Sequence, residues 1–436
     1  MNKEILRLAI PNILSNISIP LLSTVDTIIM GRFSELHLGA IGLGSMIFNF
    51  IYWNFGFLRM GTTGITAQFF GAEAQRAIIN TLGRALLIAM LLAIIIIAAH
   101  IPLLNLGNQL LNVSADQEPL VNEYYKVRIW AAPATLALYA LMGWFFGMQN
   151  AIYPLILTIV INAVNIIGNL VFVYQFDMSI DGIALATVIA QYTGLILALF
   201  LLRWRYRYLL PELKINALVE LDKLKSFLLI NRDLFIRTLC LTFAFGFFYS
   251  QSSAGGETIL AVNVILLQFV NWMSYGVDGF AYASESLVGR FAGANDRRNL
   301  QRAIRQSFVW GMGLALLFSL GYWAFDEQLV RVFTDQADLQ AAALPYIIWM
   351  VLFPIIASPC YIWDGIYIGL TASAAMRNTM LLALAAYLIF HYWLFPIYGN
   401  HGLWGAFLIF MGLRGLLMWG VYSQKLKVGL NTALAD

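Results

Sequence analysis

Continuous apolar runs, such as residues 85–99 and 380–390, recur along the chain between short polar stretches. A bilayer-crossing helix needs roughly 20 mostly apolar residues, whereas a transmembrane strand alternates apolar and polar over about 10. The runs do not alternate, so the pattern predicts helices. Twelve spans fit, at approximately 6–32, 38–67, 79–104, 120–148, 151–175, 182–204, 226–253, 258–289, 300–324, 341–368, 378–397 and 402–424. The longest polar stretch, 205–225, predicts a linker between an N-terminal lobe (1–204) and a C-terminal lobe (226–436), six spans each.

Composition agrees and removes alternatives. The 436 residues are 61% hydrophobic and 11% charged, against about 45–50% and 25% in soluble chains. Both halves share the excess, which excludes a soluble enzyme with one anchor. The N-terminus, MNKEILRLAIPN, runs into a polar-containing span without a small-residue cleavage pattern, so it reads as a retained first helix. Of the 26 Lys and Arg, eighteen fall at or close to the termini or even-numbered connections and four on the opposite side; four (Arg59, Arg232, Arg237, Arg414) lie deeper inside spans. That bias puts both termini in the cytoplasm of a protein of the inner, cytoplasmic membrane. Cys240 and Cys360 lie in apolar segments and read as small buried hydrophobes, with no metal site expected.

The halves look related. FFGAEAQRAIIN (69–80) and FAGANDRRNLQR (291–302) follow spans 2 and 8, and an offset of 222 carries Gly71 onto Gly293 and Gly147 onto Gly369. An even number of spans per half gives both repeats the same topology, an arrangement used by transporters.

Polar residues inside spans are expensive and usually face a cavity or a partner. Span 1 carries Asn12, Asn16, Ser23 and Asp26, on one helix face together with position 19. The same span has Pro11 and Pro20, each of which removes an amide hydrogen and crowds the preceding turn, making bending points. Span 5 carries Asn162, Asn165 and Asn169 on one face, either as interhelical packing or as a cavity-lining network with Asp26, to which Thr187 and Tyr124 are candidate additions. Span 8 has the longest stripe: Gln268, Asn271, Tyr275, Asp278, Tyr282 and Glu285. With Arg59, Arg237 and Asp364 on other spans, it makes either a static ion cluster joining the halves or an inner gate.

The strings FLRMGTTGITAQFFGA (57–72), DGFAYASE (278–285) and GIALATVIAQY (182–192) resemble the multidrug and toxic compound extrusion (MATE) family, specifically its DinF branch, and the similarity runs from span 1 to span 12. The resemblance implies an all-α polytopic membrane protein, with twelve helices in two pseudo-symmetric six-helix bundles forming a V. It implies secondary antiport of drugs driven by protons or sodium. The branch's span-1 aspartate falls on Asp26, its bending proline on Pro11, its span-5 asparagine on Asn165 and its span-6 threonine on Thr187. Four residues after that asparagine the family typically has an aspartate; this chain has Asn169. One titratable carboxylate then serves this network, which concentrates the coupling role on Asp26.

The expectation is therefore an antiporter that exports amphiphilic, cationic compounds in exchange for protons, with Asp26 as the switch and helix 1 as the moving part. Its partners would be small molecules and the bilayer. No cofactor beyond the coupling ion, no nucleic acid and a monomer are expected. Sodium coupling is the alternative within the class, and a lipid-linked precursor flippase the alternative outside it. An enzyme is not expected: the four histidines form no HExxH pair, and neither a GxSxG elbow nor a Walker loop occurs.

Overall fold

The computed structural model describes residues 1–30 and 34–426, without the side chains of 19–30, 35, 425 and 426. The side chains of Pro20, Ser23 and Asp26 therefore lie outside the described set. All regular structure among the described residues is helical. In chain order the helices are α1 (Asn2–Met30), α2 (Glu35–Phe55), α3 (Phe57–Gly71), α4 (Gln75–Ala98), α5 (His100–Leu110), α6 (Glu118–Arg128), α7 (Ala132–Gly147), α8 (Ile152–Tyr174) and α9 (Ile180–Tyr206). They continue as α10 (Ile215–Leu218), α11 (Leu221–Ala254), α12 (Glu257–Gly293), α13 (Arg297–Ala324), α14 (Asp326–Phe333), α15 (Ala337–Ala343), α16 (Ile347–Gly369), α17 (Ser373–Tyr398) and α18 (Asn400–Val421). Ten helical stretches among the described residues are long and apolar enough to cross a bilayer. α1 and α11, of 29 and 34 residues, complete the twelve rods anticipated from hydropathy.

Several expected spans are two pieces. The second breaks at Gly56, between α2 and α3, as befits the ordinary residue least suited to a helix interior after proline. The third turns at Ala99 into α5. The expected linker is ordered helical chain: α9 runs on to Tyr206, a 3₁₀ turn covers Arg207–Glu212, and α11 begins at Leu221. Its centre docks on α4, where the Arg84 guanidinium donates to the Ala217 carbonyl and the Lys214 amide donates to Asn80 Oδ1.

Two compact units emerge. One comprises residues 14–227; the other comprises 1–13 together with the chain from Leu228 onward. The first turns of α1 thus group with the C-terminal helices. There Glu4 pairs with Arg290 at 3.2 Å, and Gly279 of α12 lets the Ala9 carbonyl and Ile13 approach.

The duplication is written into the backbone. In the N-terminal unit α3 crosses α7 where a side chain at Gly143 would strike the Arg59 carbonyl; in the other unit α12 crosses α16 where one at Gly365 would strike the Ala281 carbonyl. The offset of 222 relates both pairs, and it carries Gly147 against Thr63 onto Gly369 against Glu285. The helix stops repeat as well: Glu73 and Asn295, then Gln149 and Thr371, all take positive φ (56°, 55°, 61° and 53°). At each stop two amides turn back onto the last carbonyls, as in Asp296 N to Phe291 O at 3.0 Å and Ala74 N to Phe69 O at 3.0 Å.

Candidate functional site

Two polar centres lie within the long helices, one in each unit. The N-terminal one is built where α8 and α9 pack closely. Gly168 of α8 faces Ala186, and Gly194 of α9 faces Ile161, so the two backbones come near enough for short side chains to meet. Asn165, buried, donates from Nδ2 to Thr187 Oγ1 at 2.9 Å. Thr187 in turn donates a hydrogen bond from Oγ1 to the Ile183 carbonyl at 3.0 Å. Asn169, fully buried, donates to Asn165 Oδ1 at 3.2 Å. One turn earlier on α8, Asn162 donates to Ser18 of α1 at 3.2 Å, and Ser18 donates to the Ser15 carbonyl. The result is two short directional runs of neutral hydrogen bonds, one joining α8 to α9 and the other joining α8 to α1.

The three asparagines and Thr187 thus stand together. Tyr124 does not join them. It is buried beneath Gly44, its ring centroid is 6.3 Å from that of Phe48, and its hydroxyl lies 3.3 Å from Ser45 Oγ, because α6 packs that face on α2. Asn12 also departs from the expected stripe, donating to the Leu8 carbonyl of its own helix at 2.8 Å. Ser18, which the stripe omitted, reaches α8 by accepting from Asn162. Pro11 sits within unbroken helix, as does the backbone of Pro20, and the boundary between the units falls just after Pro11, between Ile13 and Leu14.

The C-terminal centre is ionic. Asp364 of α16 accepts through one oxygen from Arg237 of α11 and from Arg414 of α18, the latter at 2.8 Å. All three are buried. The Arg414 guanidinium also lies 5.5 Å from the Phe410 ring centroid, and Asp278 of α12 is within its electrostatic reach. Arg237, Asp364 and Arg414 all belong to one unit. Arg59 belongs to the other, where its guanidinium is 5.8 Å from the Phe146 ring centroid. Glu285 is buried two turns further along α12, beneath Gly369. Arg414 is the partner that sequence reasoning left outside the cluster; its presence within an apolar span was the signal, since a buried arginine requires an acid. Cys240 and Cys360 are buried and free. Among the described residues no group of three or more His, Cys, Asp or Glu is gathered for a metal ion.

Comparisons with known proteins agree with this architecture. The MatE family pattern matches twice, over residues 11–171 and 235–397, one copy for each half. The chain is 35% identical to the DNA damage-inducible protein F of Escherichia coli (strain K12), covering 98% of this chain and 93% of that protein. It is 23% identical to the "Probable multidrug resistance protein NorM" of Thermotoga maritima, over 79% of this chain and 75% of that one. A crystal structure described as MATE in the bent conformation superposes with a TM-score of 0.90 at 19% identity, over 100% of this chain and 97% of the other. The duplicated helical halves, the polar centres within spans and these matches together show that the chain belongs to the MATE family, as a DinF-type multidrug and toxin efflux transporter and not an enzyme.

Proposed function

We propose that this transporter is an antiporter of the inner membrane that exports amphiphilic cations in exchange for protons, acting as a monomer with both termini in the cytoplasm. The observation that carries the reading is the neutral chain from Asn169 through Asn165 to Thr187, tied to α1 by Asn162 and Ser18. Rods one and five of an alternating bundle run the same way. From the Ser18–Asn162 contact, Asp26 is eight residues onward along α1 and Asn169 seven onward along α8. At 1.5 Å per residue these are both about 10–12 Å further across the membrane. Register thus argues for Asp26 at the level of the asparagine–threonine chain.

An aspartate there holds either a proton or the attraction for a cation. Ionised, it accepts hydrogen bonds from asparagine amides and draws a cationic substrate; protonated, it gives up that charge and becomes a donor to an asparagine carbonyl. Proton and cargo exclude each other, which is the minimum chemistry of exchange. Pro11 lacks the amide that would hold its turn together, and it lies beside the division of α1 between the two units. That supports bending of α1 as the motion that narrows the cavity when Asp26 takes its proton.

The test is purified protein in liposomes with proton and sodium gradients imposed separately. Proton-driven counterflow of an amphiphilic cation is expected in the wild type and is lost in Asp26→Asn; unchanged efflux in the variant overturns the switch. Drive by sodium alone moves the assignment to sodium coupling. One proton exchanged for one monovalent cation moves no net charge, so efflux that follows membrane potential at equal pH breaks the one-for-one scheme.

A further inference from the structure

We propose that the C-terminal unit carries a binding site for an anionic phospholipid, in a cleft between α13, α16 and α18 that is separate from both polar centres. The cleft is an open cavity of about 640 Å³ with an almost wholly apolar lining. Its wall at one end is aromatic: Trp363 of α16 has its ring centroid 5.1 Å from Phe308 of α13 and 5.1 Å from Tyr422. Leu416 and Trp419 of α18, 62% and 59% exposed, form its outer side, and Pro359 lies deeper. In a spanning bundle, a cleft of this kind opens onto acyl chains. Aromatic side chains with a polar edge gather at headgroup level, which marks the Trp363–Tyr422 end as the mouth.

Charge identifies the headgroup. α13 begins at that same end, and Arg298, Arg302 and Arg305 stand exposed along one stripe of it, beside the face that carries Ile304 and Phe308; Arg305 lies one turn before Phe308. Asp296 beside them accepts from the Asn299 amides at 3.0 and 2.7 Å and stays ionised, so one carboxylate stands against three arginines and the stripe is basic in net charge. A lipid phosphate at the arginines and one chain in the cleft satisfy both surfaces at once, and basic pockets between spans hold anionic headgroups in this way. A second, smaller cavity of about 320 Å³ on α13 serves as an internal control. It is also apolar, but its far end meets α14, which opens with Asp326 and with Glu327, the latter paired with Arg331 at 3.3 Å, so that the helix is acidic in net charge. Acidic flanks disfavour an anionic headgroup there.

The experiment uses the full chain in phosphatidylcholine vesicles doped, at equal mole fraction, with photoreactive phosphatidylglycerol or photoreactive phosphatidylcholine, and maps the labelled peptides by mass spectrometry. The glycerol lipid is expected to label α13, α16 and α18 around the larger cavity about fivefold or more above the choline lipid, the preference that roughly 1 kcal/mol per basic contact provides. R298Q/R302Q/R305Q, all exposed, brings that labelling down to the choline level. Leu416→Trp, which fills the cleft from its exposed side, lowers labelling by both lipids there and leaves the smaller cavity unchanged. Equal labelling by the two lipids in the wild type, or undiminished preference in the arginine variant, overturns the proposal. Loss of all labelling on adding tetraphenylphosphonium, with no lipid preference, assigns the cleft to an exported compound and overturns it as well.

Discussion

The two halves repeat the same backbone crossings but place opposite kinds of polarity within them. In the N-terminal unit Asn169, Asn165 and Thr187 make a chain of neutral hydrogen bonds, and Asn162 of α8 bonds Ser18. In the C-terminal unit Asp364 is gripped by Arg237 and Arg414. Neutral amide and hydroxyl bonds contribute about 0.5–1.5 kcal/mol each and exchange partners readily. A buried ion cluster is stiff, because removing one member strands a charge in a medium that cannot solvate it. On the proposed mechanism the first half is the one that changes state and the second the one that stays put, on the backbone frame that both share.

The strongest way to break this contrast is Asp364→Asn. It leaves Arg237 and Arg414 facing a neutral amide and is expected to cost about 3–5 kcal/mol, read as a drop in thermal midpoint of the purified protein. Replacing all three by apolar residues of similar size is expected to recover most of that loss; if it also preserves proton-driven efflux, the cluster is scaffold. Next come the shared crossings. Gly143→Ala and Gly365→Ala each drive a methyl into the carbonyl of the crossing helix, and each is expected to lose about 1–3 kcal/mol. Similar losses in the two variants affirm the common frame; a loss in one alone refutes it. Asn165→Ala removes the middle of the neutral chain and is expected to lower stability by only about 1–2 kcal/mol while slowing transport far more than Asp364→Asn does once corrected for folded protein.

The smallest effect concerns pH. The Asp296 carboxylate caps α13 and is held below the usual carboxylate range by hydrogen bonds from the Asn299 backbone and side chain. A lowered native value means that the cap stabilises above the unfolded value and that its contribution disappears as pH falls through the lowered one. Acid unfolding of Asp296→Asn is expected to lack that slight slope while keeping the cap.

Much of this was legible because hydrophobic periodicity and continuous apolar runs are local properties. Twelve rods, and the offset of 222 seen first in Gly71 with Gly293 and Gly147 with Gly369, need no knowledge of neighbours. The meeting of Asn165 and Thr187 was legible for a different reason: three asparagines on one face and the family resemblance around GIALATVIAQY both named them for one network. What escaped was rotation. A helical stripe tells which residues share a face but not which helix that face meets, so Tyr124 turned to Ser45 of α2 instead of the asparagines. Ser18, one position off the expected α1 stripe, made the contact with α8. Arg414 is 50 residues from Asp364, and nothing local announces the meeting. The docking of 207–218 on α4 was invisible in a segment whose composition reads as linker.

The four left-handed helix stops at Glu73, Gln149, Asn295 and Thr371 carry a practical corollary. Because they and the glycine crossings recur in step, residues 57–150 and 279–372 are cassettes with matching sockets. A chimera that swaps them in phase meets prepared backbone clearances at each joint. The same swap shifted by a single residue rotates every small side chain away from its crossing, about 100° around the helix, and jams the bundle.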